Sequence, residues 1–196
     1  MGKDGGRIVI EATKVAVILL AAGRSERFGT DKLLAMIAGE PIAVRAARAL
    51  LSIEPQWRIA VCRQGSPLTN PLETLGFEIA LNPDPARGLS SSLALGIERA
   101  AKAGADAALV ALADMPFVTG RHLSSLLDGF ELDGAPIVAS TRGASPMPPA
   151  LFDRRYFPQL VEGRGDVGAR DLLTGARLVA GDPDELADID RPQDMR

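Results

Sequence analysis

The run Val15, Ala16, Val17, Ile18, Leu19 and Leu20 constrains this chain most, because it is apolar at every position and breaks straight into Ala21, Ala22 and Gly23. A strand with one face in water alternates apolar and polar residues. A continuous apolar run of this length belongs to a strand covered on both faces, as in a parallel sheet flanked by helices. Similar short runs recur at 57–62, 77–81, 107–112 and 136–140. Helical patterns lie between them. Pro41 suits the first turn of a helix reaching about Leu51. Ser90 or Ser91 can cap a second, with Leu93, Ile97 and Ala101 on one face. Thr119 can cap a third, with Leu123, Leu126 and Leu127 as its apolar stripe. Strands alternating with helices predict an α/β domain with a mostly parallel sheet.

One domain is expected, since neither a linker nor an internal repeat divides the 196 residues. It spans residues 14–196, after a Gly- and charge-rich flexible leader at 1–13. The Pro- and Gly-rich segments 142–149 and 162–168 read as loops over the sheet's active edge. A net charge of -3 gives no footprint for nucleic acid. The apolar stretch 15–22 is too short to span a bilayer and lacks the flanks of a secretory signal. No membrane partner and a cytoplasmic location are therefore expected. The single cysteine, Cys62, excludes an internal disulfide and a cysteine-rich zinc site. It reads as a small buried residue at a strand end.

Ligands of such sheets bind beyond the carboxyl ends of the strands. After the first strand come Gly23 and two cations, Arg27 and Lys32. Small residues let backbone N–H groups approach phosphate oxygens, and Arg and Lys add charge. The spacing is neither of the common nucleotide loops. Five residues separate Gly23 from Gly29, where a P-loop needs four, and Ser25 stands where a dinucleotide fingerprint needs Gly. On these residues alone, a phosphate loop and a structural turn with solvated cations both stay open. Asp114, just past the run 107–112, is open in the same way. It is a hard ligand for Mg²⁺ at a strand's carboxyl end, or a cap for the turn before Pro116.

Residues 17–34 resemble the signature loop of nucleotidyltransferases of the molybdenum cofactor type, L-A-A-G-x-S-x-R-F-G-x-x-K-L-L. Leu20, Ala21, Ala22, Gly23, Ser25, Arg27, Phe28, Gly29, Lys32, Leu33 and Leu34 match it. Four further elements extend the resemblance over about residues 15–195. Asp114, Met115 and Pro116 resemble a D-x-P element, which implies a metal role for Asp114. The run from Asp188 to Asp194 resembles a D-I-D-T-P-x-D ending, with Arg191 in place of Thr. That match implies that Asp190 completes the metal site, while Asp188 and Asp194 read as turn or capping residues. The segment with Asn82, Gly88 and Ser91 resembles an N-x(5)-G-[LM]-x-x-S-L element that packs on the nucleoside. Gly165 to Arg170 is similar to G-D-x-G-A-R, implying Asp166, Gly168 and Arg170 on the acceptor side. Met147 stands where relatives carry Gly. His122 matches no motif and reads as surface or capping.

The resemblance implies a three-layer, Rossmann-like nucleotidyltransferase domain. Its implied reaction moves a cytidylyl group from CTP to the phosphate of molybdopterin and releases pyrophosphate, with Mg²⁺ as cofactor. Arg27 and Lys32 would neutralise the phosphates, and Asp114 and Asp190 would hold the metal. Leu20 to Gly23, Ser25, Asn82, Gly88 and Ser91 would contact the nucleotide. Relatives using GTP tend to carry L-A-G-G, so the Cβ of Ala22 is expected to narrow the base pocket toward a pyrimidine. Guanylyl transfer, another phosphorylated acceptor and a non-catalytic cofactor-delivery protein are the alternatives. The recipient molybdoenzyme or its chaperone is the further partner implied.

Overall fold

The structure, a computed structural model, describes residues 14–23, 31–130, 135–163 and 168–194. The leader at 1–13, Ser25 and Arg27 within 24–30, and Asp166 within 164–167 lie outside these residues.

Strand β1, Val15–Ala21, is buried at every position. Val15, Val17, Leu19 and Ala21 enter one core cluster, while Ala16, Ile18, Leu20 and Ala22 enter the other. Two helical layers therefore account for the unbroken apolar run. After a small hairpin of β2 (Met36–Ile37) and β3 (Glu40–Pro41) come α1 (Ile42–Leu50) and β4 (Trp57–Arg63). There follow α2 (Thr69–Thr74), β5 (Glu78–Asn82), α3 (Leu89–Ala103), β6 (Ala107–Leu112) and α4 (Gly120–Gly129). The chain continues through β7 (Ile137–Thr141), β8 (Pro146–Asp153), α5 (Phe157–Glu162), α6 (Gly168–Leu173) and β9 (Arg177–Ala180).

The seven-stranded sheet has the order β5-β4-β1-β6-β8-β7-β9. All of its strands run parallel except β8, which is antiparallel to both neighbours. Side chains of α1 and α4 join the cluster on one face, and those of α3, α5 and α6 the cluster on the other. The three-layer α/β arrangement matches the expectation. From β1 the chain steps outward to β4 and β5, then returns to β6 on the other side of β1. The crevice beyond the carboxyl ends of β1 and β6 is thus a topological switch point.

Helix α3 lies close on β1 because Gly96 has no side chain; a Cβ there would sit 2.5 Å from Ile18 Cγ2. Its N-cap is Gly88, at φ +89°, and neither Ser90 nor Ser91 caps it, since both lie inside the first turn. Pro41 stands one residue before α1, as its cap. Thr119 caps α4 as expected, its hydroxyl accepting from the His122 N–H at 3.3 Å. Cys62 is buried near the end of β4, and burial pushes its thiol up to about 11.

Two further readings are corrected. The segment 142–149 is not all loop, because Pro146 to Pro149 begin β8. Pairing slips there: Ala139 faces Ala150 while Ser140 faces Met147, so Pro148 and Pro149 are extra residues in the ladder. A bulge suits proline, which has no N–H to give. His122 is not a surface residue; it is 5% exposed. Ser140 donates its hydroxyl proton to the Pro149 carbonyl at 2.7 Å, so the 2.8 Å contact with His122 Nε2 requires the imidazole to donate. His122 thus ends a hydrogen-bond chain that runs through Ser140 to the bulge. Among the described residues, no helix is long and apolar enough to cross a membrane.

Candidate active site

Backbone contacts assemble the site at the switch point. Past β6, the Ala113 N–H donates to the Leu20 carbonyl at 3.1 Å, and Arg45 Nε donates to the Pro116 carbonyl at 3.1 Å. These bonds set Asp114 at the crevice mouth. Its own carbonyl accepts from the Ile189 N–H at 2.9 Å. Leu186 and Ile189 are fully buried, so apolar side chains anchor the acidic C-terminal segment and bring Asp190 beside Asp114. Glu185 adds a tie at the start of α4, accepting from the Thr119 hydroxyl and from its N–H at 2.9 Å. Asp194 caps the local turn, as expected, accepting from the N–H groups of Asp190 at 3.0 Å and Arg191 at 2.8 Å. Asp188 pairs loosely with Arg142, 3.8 Å away.

Lys32 comes in from the opposite wall. Its Nζ donates to Asp114 Oδ2 at 2.8 Å and to Asp190 Oδ1 at 3.0 Å, joining groups 82 and 158 positions apart. Burial opposes the ammonium charge. Hydrogen bonds to, and the charges of, Asp114 and then Asp190 outweigh it and hold the Lys32 pKa above its ordinary 10.5. The other Asp114 oxygen, Oδ1, is buried with no hydrogen-bond partner among the described residues. An orphaned hard oxygen beside a second carboxylate fits a divalent cation. Among the described residues no cluster of three or more His, Cys, Asp or Glu could enclose an ion by itself. That pattern suits Mg²⁺, which takes one or two carboxylates and completes its shell with substrate phosphates and water.

At the end of β1, Leu20, Ala21 and Ala22 are buried, whereas a Cβ built on Gly23 would meet nothing within 4 Å among the described residues. Open space at Gly23 leaves room for close approach of a ligand. Ala22 belongs to the cluster under α3, so its methyl meets core atoms. Asn82 is 3% exposed; its amide donates to Ser91 Oγ and Ser92 Oγ, both at 2.9 Å, and its Oδ1 accepts from the Asp84 N–H at 2.9 Å. Ser91 passes the chain on to the Gly88 carbonyl at 2.9 Å. Asn82, Gly88 and Ser91 thus meet at the entrance to α3.

Gly168 and Arg170 lie in α6, which packs against α5, β7 and β8 on the α3 side of the sheet. Asp190 enters from the other face. Met147 packs in β8 against the α1-side core. A cleft of about 770 Å³ adjoins Asp190, lined by six carboxylates, Phe117, Ala187 and the guanidinium of Arg142. Two further residues went unnoticed in the sequence: Asp31, whose Oδ1 accepts from the Leu33 N–H at 3.2 Å, and Arg63, whose Nη2 donates to Asp31 Oδ2 at 2.8 Å.

Residues 17–181 match the MobA-like NTP transferase domain family. The purine catabolism protein PucB of Bacillus subtilis (strain 168) is 32% identical over 191 residues, covering 90% of this chain and 92% of PucB. A molybdenum cofactor guanylyltransferase of Cereibacter sphaeroides is 33% identical over 187 residues, covering 91% and 92% of the two chains. The solved homologue of Mycobacterium tuberculosis Rv0371c from Mycobacterium sp. strain JC1 superposes with a TM-score of 0.79 at 26% identity, covering 93% of each chain.

Proposed function

Because this chain belongs to the MobA-like NTP transferase domain family, we propose that it transfers a nucleotidyl group to the phosphate of a molybdopterin-type acceptor. The Lys32 contact with Asp114 and Asp190 carries the reading: one ammonium and two carboxylates share a point at the sheet's switch point. An acceptor phosphate oxygen attacks the α-phosphorus of a nucleoside triphosphate, and the α–β bond breaks to release pyrophosphate. The nucleophile is already ionised at neutral pH, so no general base is needed. Lys32, with Arg27 five positions before it in the sequence, neutralises the α-phosphate and the departing pyrophosphate. Asp114 and Asp190 would hold Mg²⁺, which supplies charge neutralisation on the triphosphate when bound.

GTP is the donor this reading favours, since the Cereibacter relative is a guanylyltransferase. The steric case for CTP weakens with the Ala22 methyl packed into the core. CTP remains the second reading because the first loop carries L-A-A-G. The carboxylate-lined cleft supports an acceptor whose heterocycle is rich in N–H donors, as a reduced pterin is. A cytoplasmic setting and delivery of the product to a molybdoenzyme or its chaperone go with this reading. Thermal shifts with GTP, CTP, UTP and ATP, each with Mg²⁺, test the donor. GTP is expected to stabilise most; stabilisation by CTP alone would select cytidylyl transfer. Pyrophosphate release on adding molybdopterin tests the acceptor.

A further inference from the structure

The phosphate-reading role of Lys32 depends on where its backbone is held as well as on its ammonium. Lys32 begins a single 3-10 turn, Lys32–Leu34, too short to hold its own shape. Three contacts fix it. The Leu33 side chain, 4% exposed, is buried in the α1-side core. Asp31 caps the turn through Oδ1 on the Leu33 N–H. The other Asp31 oxygen takes Arg63 Nη2 at 2.8 Å. Arg63 is the last residue of β4, and its neighbour Cys62 lies opposite Ala21 at the end of β1. Thus the strand next to β1 reaches over the carboxyl edge and fastens the turn that aims Lys32 at Asp114 and Asp190. The side chains of Asp31 and Arg63 are 16% and 34% exposed, partly withdrawn from screening water. An ion pair of this kind adds little to global stability. Its geometric effect is larger, because one carboxylate both caps the turn and is tethered to the sheet.

We propose that Arg63 is a positioning residue for nucleotidyl transfer, acting through Asp31 on the direction of Lys32. The proposal rests on the reading of Lys32 as the phosphate-binding cation. Two measurements test it, and the first needs no activity. The chain has four lysines, Lys3, Lys14, Lys32 and Lys102, so ¹³C-lysine labelling gives few Cε–Hε signals, with Lys32 assigned by its loss in Lys32→Arg. A held side chain shows two distinct Hε resonances, and a freely rotating one shows them merged. The wild type is expected to show them distinct and Arg63→Gln merged. Asp31→Asn, which keeps the capping oxygen but loses the charge, is expected to shift them in the same direction. The second measurement is kinetic. Arg63→Gln should lower kcat/KM for the nucleotide about ten-fold, with melting temperature unchanged and most of the loss restored by Arg63→Lys. In a Lys32→Gln background the same change should add less than about two-fold. An unmoved Lys32 signal in both variants, or an equal cost in both backgrounds, overturns the proposal. If no nucleotide supports pyrophosphate release in any variant, the functional reading fails while the Lys32 signal still decides the role of Arg63.

Discussion

The His122 imidazole is held below its ordinary 6.5 by desolvation, against a smaller upward pull from the Glu185 charge. An unfolded chain takes up a proton that the native state refuses, so this group costs no stability above 6.5 and progressively more as pH falls through its lowered native pKa. Melting temperature should therefore hold above about pH 6.5 and drop as pH falls below it. In His122→Asn the drop should be shallower, with the whole curve lower because Ser140 loses its donor. A parallel curve for the variant would remove His122 as the source. Asp114→Ala should cut turnover by about a hundred-fold or more while circular dichroism stays native, since Oδ1 has no hydrogen bond to lose among the described residues and Lys32 keeps Asp190 as its partner when Oδ2 is gone. Retained turnover would remove Asp114 from the chemistry. Sequence left these residues unequally legible. Asp114 followed a clear strand, yet its residue type alone fitted a cap as well as a ligand. The contact with Lys32, 82 positions away, has no local pattern, and neither has Asp31 with Arg63, 32 positions apart. His122 looked exposed because its neighbours Ser140 and Gly181 come from distant parts of the chain.

At the scale of elements, α3 makes the sharpest demand on its sequence. Gly96 in a helix interior ordinarily costs about 1 kcal/mol against Ala, so Gly96→Ala would be stabilising on propensity alone. The added methyl would instead meet Ile18 Cγ2 at 2.5 Å and Val61 Cγ2 at 3.2 Å, on β1 and β4. Overpacking should win by about 1–3 kcal/mol of net destabilisation, read as a lower midpoint in urea with an unchanged m-value. A gain in stability would mean that α3 can lift off the sheet at no cost. The strands β1, β4 and β6 were legible as apolar runs because both faces of each are covered. Strand β8 was not, because three prolines among its first four residues imitate a loop. Its later residues Ala150, Leu151 and Phe152 show why it is a strand: they are buried between β6 and β7.

For the molecule as a whole, the alternation of strands and helices conveyed the layers but not the strand order or the reversal of β8, which long-range pairing decides. That order matters to function, because placing β6 beside β1 brings the middle of the chain to the first loop. Nucleotide binding at this seam, as proposed above, would draw on both halves of the sheet. With nucleotide at a hundred times its Kd, global stability should rise by about 2.7 kcal/mol. For a domain of this size that is a melting shift of roughly 5–10 °C.

The bond from Lys32 to both carboxylates has a consequence for the order of events. A tethered ammonium competes with any dissolved cation at an effective concentration in the millimolar range or above. The resting protein thus supplies its own counter-ion, and at the proposed metal site a divalent ion arriving alone would have to displace it. A triphosphate offers Lys32 a better partner, so ion and nucleotide should enter together. In electron paramagnetic resonance titrations without nucleotide, Lys32→Met should bind Mn²⁺ more tightly than wild type, and nucleotide should narrow the gap. Equal affinities would show that the internal cation is no obstacle.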